Sequence, residues 1–510
     1  MKRFLAALSA TLLVASPLAA AKLLRHASQI DPGTMDPHAL ATLYNNRVMS
    51  QIYETLVDRD ERFKPAARLA LSWTPLDGGR GWRFRLRPGV SFHDGTPFTA
   101  DDVVFSVKRG LDPLSAYKTA LPNVTGASKV DALTVDIFTS QPTPVLPLAL
   151  TNFRLMSKAW CEKHRVERPQ DFKAKEETHA TRNANGTGAF KLVRWETDVR
   201  TVLAANREYW GKRGNVSEAH YLVVSTAATR VAGLISGEID IVTDPAVQDV
   251  VRLKSQSGIT IGEAIGTGSQ FVGFHHGKKL AFKDPRVRQA IRAAIDFEAL
   301  KSKVMRDTAV VGRAIYSPVI DGFDPRFAKP PAHDPARAKQ LLREAGYPDG
   351  FATELECSSQ QPTDSLCQAI AGMLSRVGIR VSYRPLPFNT LVPKLLSGDA
   401  TMYSIGWTAA TAEPEGVLVP LVRSRTRAGV GEYNFGEYSN PKADAAIDKG
   451  RVEFDAAKRA AYFTEAMLAV DEDAGFIPLV TRKVTWAMRK QVKAVMRPND
   501  VLDLRMVTID

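Results

Sequence analysis

The stretch Gly81 to Leu111 reads GWRFRLRPGVSFHDGTPFTADDVVFSVKRGL, and every local signal in it agrees. Trp82, Phe84 and Leu86 alternate with Arg83, Arg85 and Arg87, the period of a strand with one buried face. Pro88-Gly89 turns the chain, Val90 and Phe92 resume the alternation, and Asp94-Gly95 turns it again. Thr99, followed three residues later by Asp102, predicts a variant capping box. It opens a helix whose Val103, Val107 and Leu111 share one face. The local physics predicts a strand–turn–helix unit and no chemistry.

Outward from this unit, 510 residues are too many for one small core, so two or three domains are expected. A hydrophobic share of 44% and a charged share of 24% are ordinary for a globular chain. At the N-terminus, Lys2 and Arg3 precede an apolar run from Phe4 to Ala15, and Ala19-Ala20-Ala21 follows Pro17. A charged n-region, a short h-region and an A-x-A site predict a secretory leader over residues 1–21, cleaved after Ala21. The run is too short to span a bilayer comfortably, no cysteine sits at the cleavage site, and no later segment is apolar enough to cross a membrane. The expected location is the periplasm.

The formal charge of +13 is the kind that often signals nucleic acid, but an exported protein rarely meets any. The basic residues are scattered, and Arg83, Arg85 and Arg87 on alternate strand positions form a solvated face. Of the three cysteines, Cys357 and Cys367 could close a short loop in an oxidising compartment, whereas Cys161 reads as a small buried hydrophobe. Whether Cys357 and Cys367 pair is not legible from their spacing.

Strand-like and helix-like runs interleave throughout, which argues for an α/β architecture. Thr134–Phe138, Phe190–Val193, Thr201–Ala204 and Tyr221–Ser225 read as strands. Arg286 to Val304 reads as one helix behind Asp284-Pro285, and Pro335 to Ala345 and Ser365 to Val377 as two more.

The words of the opening stretch closely resemble the FHDGTPFTAxDVxFS signature of the family 5 solute-binding proteins, the peptide, dipeptide and nickel-type receptors of ABC importers. Further words of that family recur in order: Met35-Asp36-Pro37-His38, Ile52 to Val57, Asn185 to Leu192, Asn206 to Trp210, Leu234 to Ile241, Asp284 to Asp296, Ala345 to Phe351, Tyr433 to Asp444, and Trp486-Ala487-Met488-Arg489. The resemblance covers nearly the whole mature chain. It implies an α/β, two-lobed periplasmic binding protein of type II with an additional inserted domain. The first lobe would comprise 22–60, 186–263 and 479–510, the inserted domain 61–185, and the second lobe 264–478. It further implies a monomer without cofactor or metal that captures a peptide or peptide-like ligand and delivers it to permease and ATPase subunits. The alternative on the same scaffold is a metal-chelate or haem receptor. An exported peptide hydrolase is the reading from another class.

No HExxH, GxSxG, phosphate loop of the Walker type or CxxC supports catalysis. Asp101-Asp102 fits a helix's first turn better than acid–base work. Adjacent strand residues point to opposite faces, so His275 and His276 do not easily share one ion; His275 is expected to hydrogen-bond at the pocket edge. Gly266-Thr-Gly-Ser-Gln270 reads as a connector. The segment after the short strand Met402–Ile405 carries small residues around one tryptophan, which suits a ligand pocket. By the resemblance, Gly406, Trp407 and Thr408 meet the ligand, Tyr44 and Asn45 face the cleft, and Gln270, Ser358 and Ser359 are placed by order in the fold. Ala410 stands where receptors for free-amino-terminus peptides usually carry aspartate, so the ligand either lacks a buried ammonium or pairs it elsewhere, for example with Glu413.

Overall fold

The computed structural model describes residues 22–409, 411–426 and 430–510; the expected leader and Ala410 lie outside the described residues. The chain begins with β1 (Leu23–Ser28) and, after the helix Leu43–Ile52, makes a short hairpin of β2 (Val57–Arg59) and β3 (Pro65–Ala67). A separate antiparallel sheet follows, formed by β4 (Ala70–Pro75), β5 (Gly81–Leu86), β6 (Val124–Asp131) and β7 (Thr134–Thr139) in the order β4-β5-β7-β6. β5 is the strand predicted above: Trp82, Phe84 and Leu86 are buried while Arg83 and Arg85 are exposed. The capping box is also present, with the Thr99 N–H donating to Asp102 Oδ2 at 2.9 Å. Val103 and Val107 of that helix complete a core with Phe84, Phe92 and Phe98.

Among the described residues, Val492–Lys493 with Thr508–Ile509 form a separate small pair, and the other remaining strands build one eleven-stranded sheet. Its further members are β8 (Phe190–Glu196), β9 (Arg200–Ala205), β10 (Glu218–Val223), β11 (Ile241–Thr243), β12 (Ile259–Phe274), β13 (Ala309–Val310), β14 (Ala352–Ser358), β15 (Arg380–Leu386), β16 (Met402–Thr408) and β17 (Phe476–Arg489). The order is β15-β14-β16-β12-β17-β11-β1-β10-β9-β8, with β13 beside β17. The two long central strands belong to both ends of this sheet. β17 pairs β11 through Thr243↔Trp486, and β12 pairs β16 through Gly268↔Thr408. Two apolar cores cover the β14–β16 end and two others the β1, β10 and β11 end. The molecule is thus two-lobed, and among the described residues only β12 and β17 run as strands through both lobes.

Between the lobes the ladder breaks. Ile265 pairs Lys483 and Ser269 pairs Thr481, so Gly266, Thr267 and Gly268 lie opposite the single residue Arg482. Such a bulge bends a strand and leaves backbone groups unpaired. Here the Thr267 N–H donates to Pro498 O at 3.2 Å, and the Gly266 carbonyl accepts from Ser317 Oγ at 2.6 Å. A Cβ at Gly266 would stand 2.8 Å from Arg482 O, so the position requires glycine. The expected connector is therefore a bulged strand.

Two other expectations change. The single helix expected over Arg286–Val304 is two segments, Pro285–Ala294 and a short helical stretch from Phe297 that ends as a π-turn over Leu300–Val304. Asp296 accepts the Ala299 N–H at 2.9 Å and starts a new helix, while Ile295 is extended. The apolar period runs on through the break, because Ile295, Phe297 and Leu300 are all buried. β10 starts three residues earlier than expected because its pairing with β1 begins at Leu23↔Glu218.

Cys357 and Cys367 form a disulfide that fastens β14 to the helix Thr363–Ser375. Cys161 is free and buried, and burial pushes its thiol up to about 12. The bridge closes a short loop, so the double replacement Cys357→Ala with Cys367→Ala is expected to cost about 3 kcal/mol. A guanidinium denaturation midpoint equal to that of the parent would contradict this. Among the described residues no helix is long and apolar enough to cross a membrane.

Candidate binding site between the lobes

Strand polarity defines the cleft. In the first lobe β1 runs parallel to β10 and β11, and the β11 end that reaches Thr243 is the one nearer the bulge. In the second lobe β14 runs parallel to β15 and β16, and Thr408 at the end of β16 pairs with Gly268 of the bulge itself. Both sets of parallel strands therefore aim their carboxyl ends at the same gap. Carboxyl ends of parallel strands leave backbone groups and loop side chains free, which is where open α/β sheets bind ligands.

The second-lobe wall carries most of the residues expected from sequence. Gly406, Trp407 and Thr408 are not in a loop: they are the last residues of β16, paired with Gln270, Ser269 and Gly268. The strand is longer than expected because β12, distant in sequence, supplies its partner. Gly406 and Thr408 are exposed on one face, where a Cβ on Gly406 would stand 3.0 Å from Gln270 Oε1. Gln270 donates to Ser404 Oγ at 2.9 Å. Trp407, on the other face, is half-buried; its Nε1 donates to Gly416 O at 2.8 Å and its ring lies 4.9 Å from that of Tyr433. Ser358 is the last residue of β14 and Ser359 follows it; Ser358 is buried and its Oγ accepts the Gln360 N–H at 3.3 Å, while Ser359 is exposed.

The loop after Trp407 is tightly held. Glu413 accepts two hydrogen bonds from Arg459, at 2.7 and 3.0 Å, with both side chains buried. It is therefore committed to a guanidinium and is not free to replace the missing aspartate at position 410. Burial and the nearby Glu413 push the Glu415 carboxyl up to about 8.

The first-lobe wall holds a charge cluster that sequence reading missed. Arg47 donates to Asp244 Oδ2 at 3.0 Å, Asp500 Oδ2 at 2.6 Å, and the hydroxyls of Ser28 and Thr243 at 3.1 Å. Ser28 and Thr243 end β1 and β11, so the cluster sits at the carboxyl ends of those strands. Trp486 Nε1 donates to Asp500 at 2.7 Å, and burial pushes the Asp500 carboxyl up to about 7 despite Arg47. Tyr44 is half-buried at its rim, with the Arg47 guanidinium 5.4 Å from its ring, and burial raises its hydroxyl. Asn45 is fully buried; its amide donates to Pro32 O and Thr34 O at 3.1 and 2.8 Å, so it shapes the loop after β1 instead of facing the cleft. Only a tertiary fold brings Arg47, Asp244 and Asp500 together, and no local spacing signals them.

His275 is not at the pocket edge. It follows the end of β12 remote from the bulge, and its Nδ1 accepts the N–H groups of Gly277 and Lys278 at 3.1 and 3.3 Å, a turn cap. His276 packs on Tyr438, and burial lowers it to about 3. Among the described residues no group of three or more His, Cys, Asp or Glu side chains could hold a metal ion.

Residues 64–429 match the family model described as bacterial extracellular solute-binding proteins, family 5 Middle. The chain belongs to that family. The family 5 chain is 28% identical over 465 residues to Heme-binding protein A of Haemophilus influenzae, covering 85% of this chain and 82% of the relative. It is 26% identical over 494 residues to the glutathione-binding protein GsiB of Escherichia coli K12, covering 95% and 93%. Among solved structures, HbpA2 from Haemophilus parasuis superposes with a TM-score of 0.85 at 22% identity, over 96% of this chain and 100% of that one. The fold of this family 5 protein is thus that of known multi-domain periplasmic binding proteins.

Proposed function

We propose that this protein is the exported, periplasmic receptor of an ABC importer and holds a peptide or peptide-like molecule between its lobes without chemical change. The observation that carries the reading is the polarity of the two parallel strand sets, whose carboxyl ends meet across a bulged two-strand crossing. A crossing of this kind suits hinge closure. The walls supply strand-end backbone, one aromatic side and the partly exposed Asp244 carboxylate, a mixture that suits an extended molecule with amide bonds. Relatives named for glutathione and for dipeptides support the same ligand class. The proposed division of the chain keeps the first lobe at 22–60, 186–263 and 479–510 and the second at 264–478; the bulge at Gly266–Gly268 lies close to the first crossing. The proposed contacts are Tyr44, Gln270, Gly406, Trp407 and Thr408; Ala410, expected with them from the sequence, lies outside the described residues.

The test is native mass spectrometry of protein purified from cells without chelators, followed by calorimetry with reduced glutathione, trialanine and hemin. A retained mass in the peptide range and saturable binding of a peptide probe support the reading. Stoichiometric hemin binding alone, or release of cleaved peptide, would overturn it. Trp407→Ala is expected to weaken peptide binding by about ten- to a hundredfold, the range for a buried aromatic anchor. Some stability is lost as well, because Trp407 Nε1 donates to Gly416 O and its ring packs on Tyr433, so the affinities are compared at a temperature where both proteins are fully folded. Unchanged affinity would return Trp407 to a packing role.

A further inference from the structure

Beyond the two crossing strands, the lobes touch through the β2–β3 hairpin. Its turn, residues 60–64, is shaped by Asp60, whose carboxylate accepts the N–H groups of Arg62 and Lys64 at 2.9 and 2.8 Å. Phe63 at the tip has a left-handed φ of 63° and is 6% exposed. It is buried in the second-lobe core that contains Ile320, Ala409 and Ala412, not in the core of its own sheet. Arg59 lies beneath it, with its guanidinium 4.7 Å from the Phe63 ring and its side chain 6% exposed.

The hydrogen bonds of Arg59 join three segments. One Nη donates to the Phe63 carbonyl at 2.8 Å and reaches Asp321 at 3.3 Å; the other donates to the Thr411 carbonyl at 2.7 Å. Asp321 also pairs with Lys64 at 2.5 Å, and its own N–H donates to the Ala412 carbonyl at 2.8 Å. Ala412 has a left-handed φ of 52°, a conformation that non-glycine residues rarely hold without support. The loop that follows Trp407 is thus clamped from the first-lobe side by Arg59 and from the second by Asp321 and Arg459. The same hairpin is tied to the crossing: Arg497 donates to the Arg59 carbonyl at 2.6 Å, and the next residue, Pro498, accepts from Thr267 of the bulge.

From this we infer that the β2–β3 hairpin is a non-covalent link between the lobes, additional to the two crossing strands and to the packing of Phe454 on Trp82, in which Arg59 is a positioning residue that sets both the inter-lobe angle and the shape of the loop after Trp407. Contacts beside the crossing move least when lobes rotate about it, so the clamp persists through rotation while limiting its range. The effect on binding rests on the cleft reading above; the effect on the inter-lobe angle does not.

The experiment places nitroxide labels on Val251→Cys and Phe388→Cys, both exposed, one on each lobe, and reads their distance distribution by pulsed electron resonance. The background is the full mature chain, then Arg59→Met, Phe63→Leu and the conservative Arg59→Lys. Arg59→Met and Phe63→Leu are both expected to broaden the distribution, and Arg59→Met to weaken trialanine or glutathione binding about tenfold, the scale of one lost charge-assisted hydrogen bond. Arg59→Lys, which can keep one of the two inter-lobe bonds, is expected to narrow the distribution part-way back. Folded variants with the parental distribution would overturn the inference, whatever their affinity. If Arg59→Met does not fold, Phe63→Leu, which keeps an apolar plug, decides by the same readout. A broadened distribution in a protein that binds neither peptide probe would sink the ligand reading and leave the hairpin link standing.

Discussion

Asp36→Ala is expected to lower unfolding stability by about 3–5 kcal/mol, the cost of stranding a buried charge. Asp36 and Arg109 have no solvent exposure at either side chain. The guanidinium donates to both carboxylate oxygens at 2.8 and 2.6 Å, and the same oxygens accept the N–H groups of His38 and Gln170 at 3.0 Å. Arg109 also reaches the carbonyls of Val166 and Arg168. One buried pair thus joins the loop after β1, the helix Ala100–Gly110 and the segment 166–170. Without the carboxylate, Arg109 is left charged and unmatched at that junction. Replacing both partners by apolar residues of similar shape, Asp36→Leu with Arg109→Met, should recover much of the loss, since desolvating an ion pair offsets most of its attraction. Denaturant midpoints would check both outcomes; a double variant no better than Asp36→Ala would mean that the hydrogen-bonded network, not the stranded charge, sets the cost.

Stability should be greatest near pH 6.5 and fall steeply on the acid side. Burial lowers His26, His38 and His276 to about 3 and His93 to about 4. A histidine with a depressed native value contributes stability that is complete above its unfolded value near 6.5 and is lost as the pH drops below it. Two carboxyls act in the opposite sense, Asp500 raised to about 7 and Glu415 to about 8, mainly by burial. Their contribution is complete below the unfolded carboxylate range and is lost as the pH rises toward those raised values. Between pH 4.5 and 6.5 the histidines held neutral outnumber these carboxyls, so the unfolded chain binds more protons than the folded one and stability falls with acidification. Asp36, held below the ordinary carboxylate range by Arg109 although burial opposes it, keeps its contribution until much lower pH. Calorimetric scans from pH 5 to 8 would show the maximum; a melting temperature that does not change between pH 5 and 6.5 would refute the assignment of these histidines as buried and neutral.

The local elements were legible because their signals are local. Alternation in Trp82–Leu86 needs only a surface to bury against, and the Thr99–Asp102 cap closes within three residues. The Met35-Asp36-Pro37-His38 word was legible as a family word but not as a mechanism, because its meaning is a pairing with Arg109, 73 residues away. Helix breaks and strand lengths were less legible for the same reason. The apolar period continues through Ile295, yet an Asp296 cap divides the helix, and β16 extends to Thr408 only because β12 offers hydrogen-bond partners.

The sequence by itself determined the family and the α/β pattern, since motifs in order and short-range periodicity are properties of the chain as written. Tertiary structure alone decided that the parallel strands of both lobes aim at one gap, that Glu413 is committed to Arg459, that Arg47 gathers Asp244 and Asp500, and that Arg59 bridges to Thr411. Those outcomes depend on groups tens to hundreds of residues apart competing for the same partner in a dry interior, where an unmatched charge is too costly to leave alone.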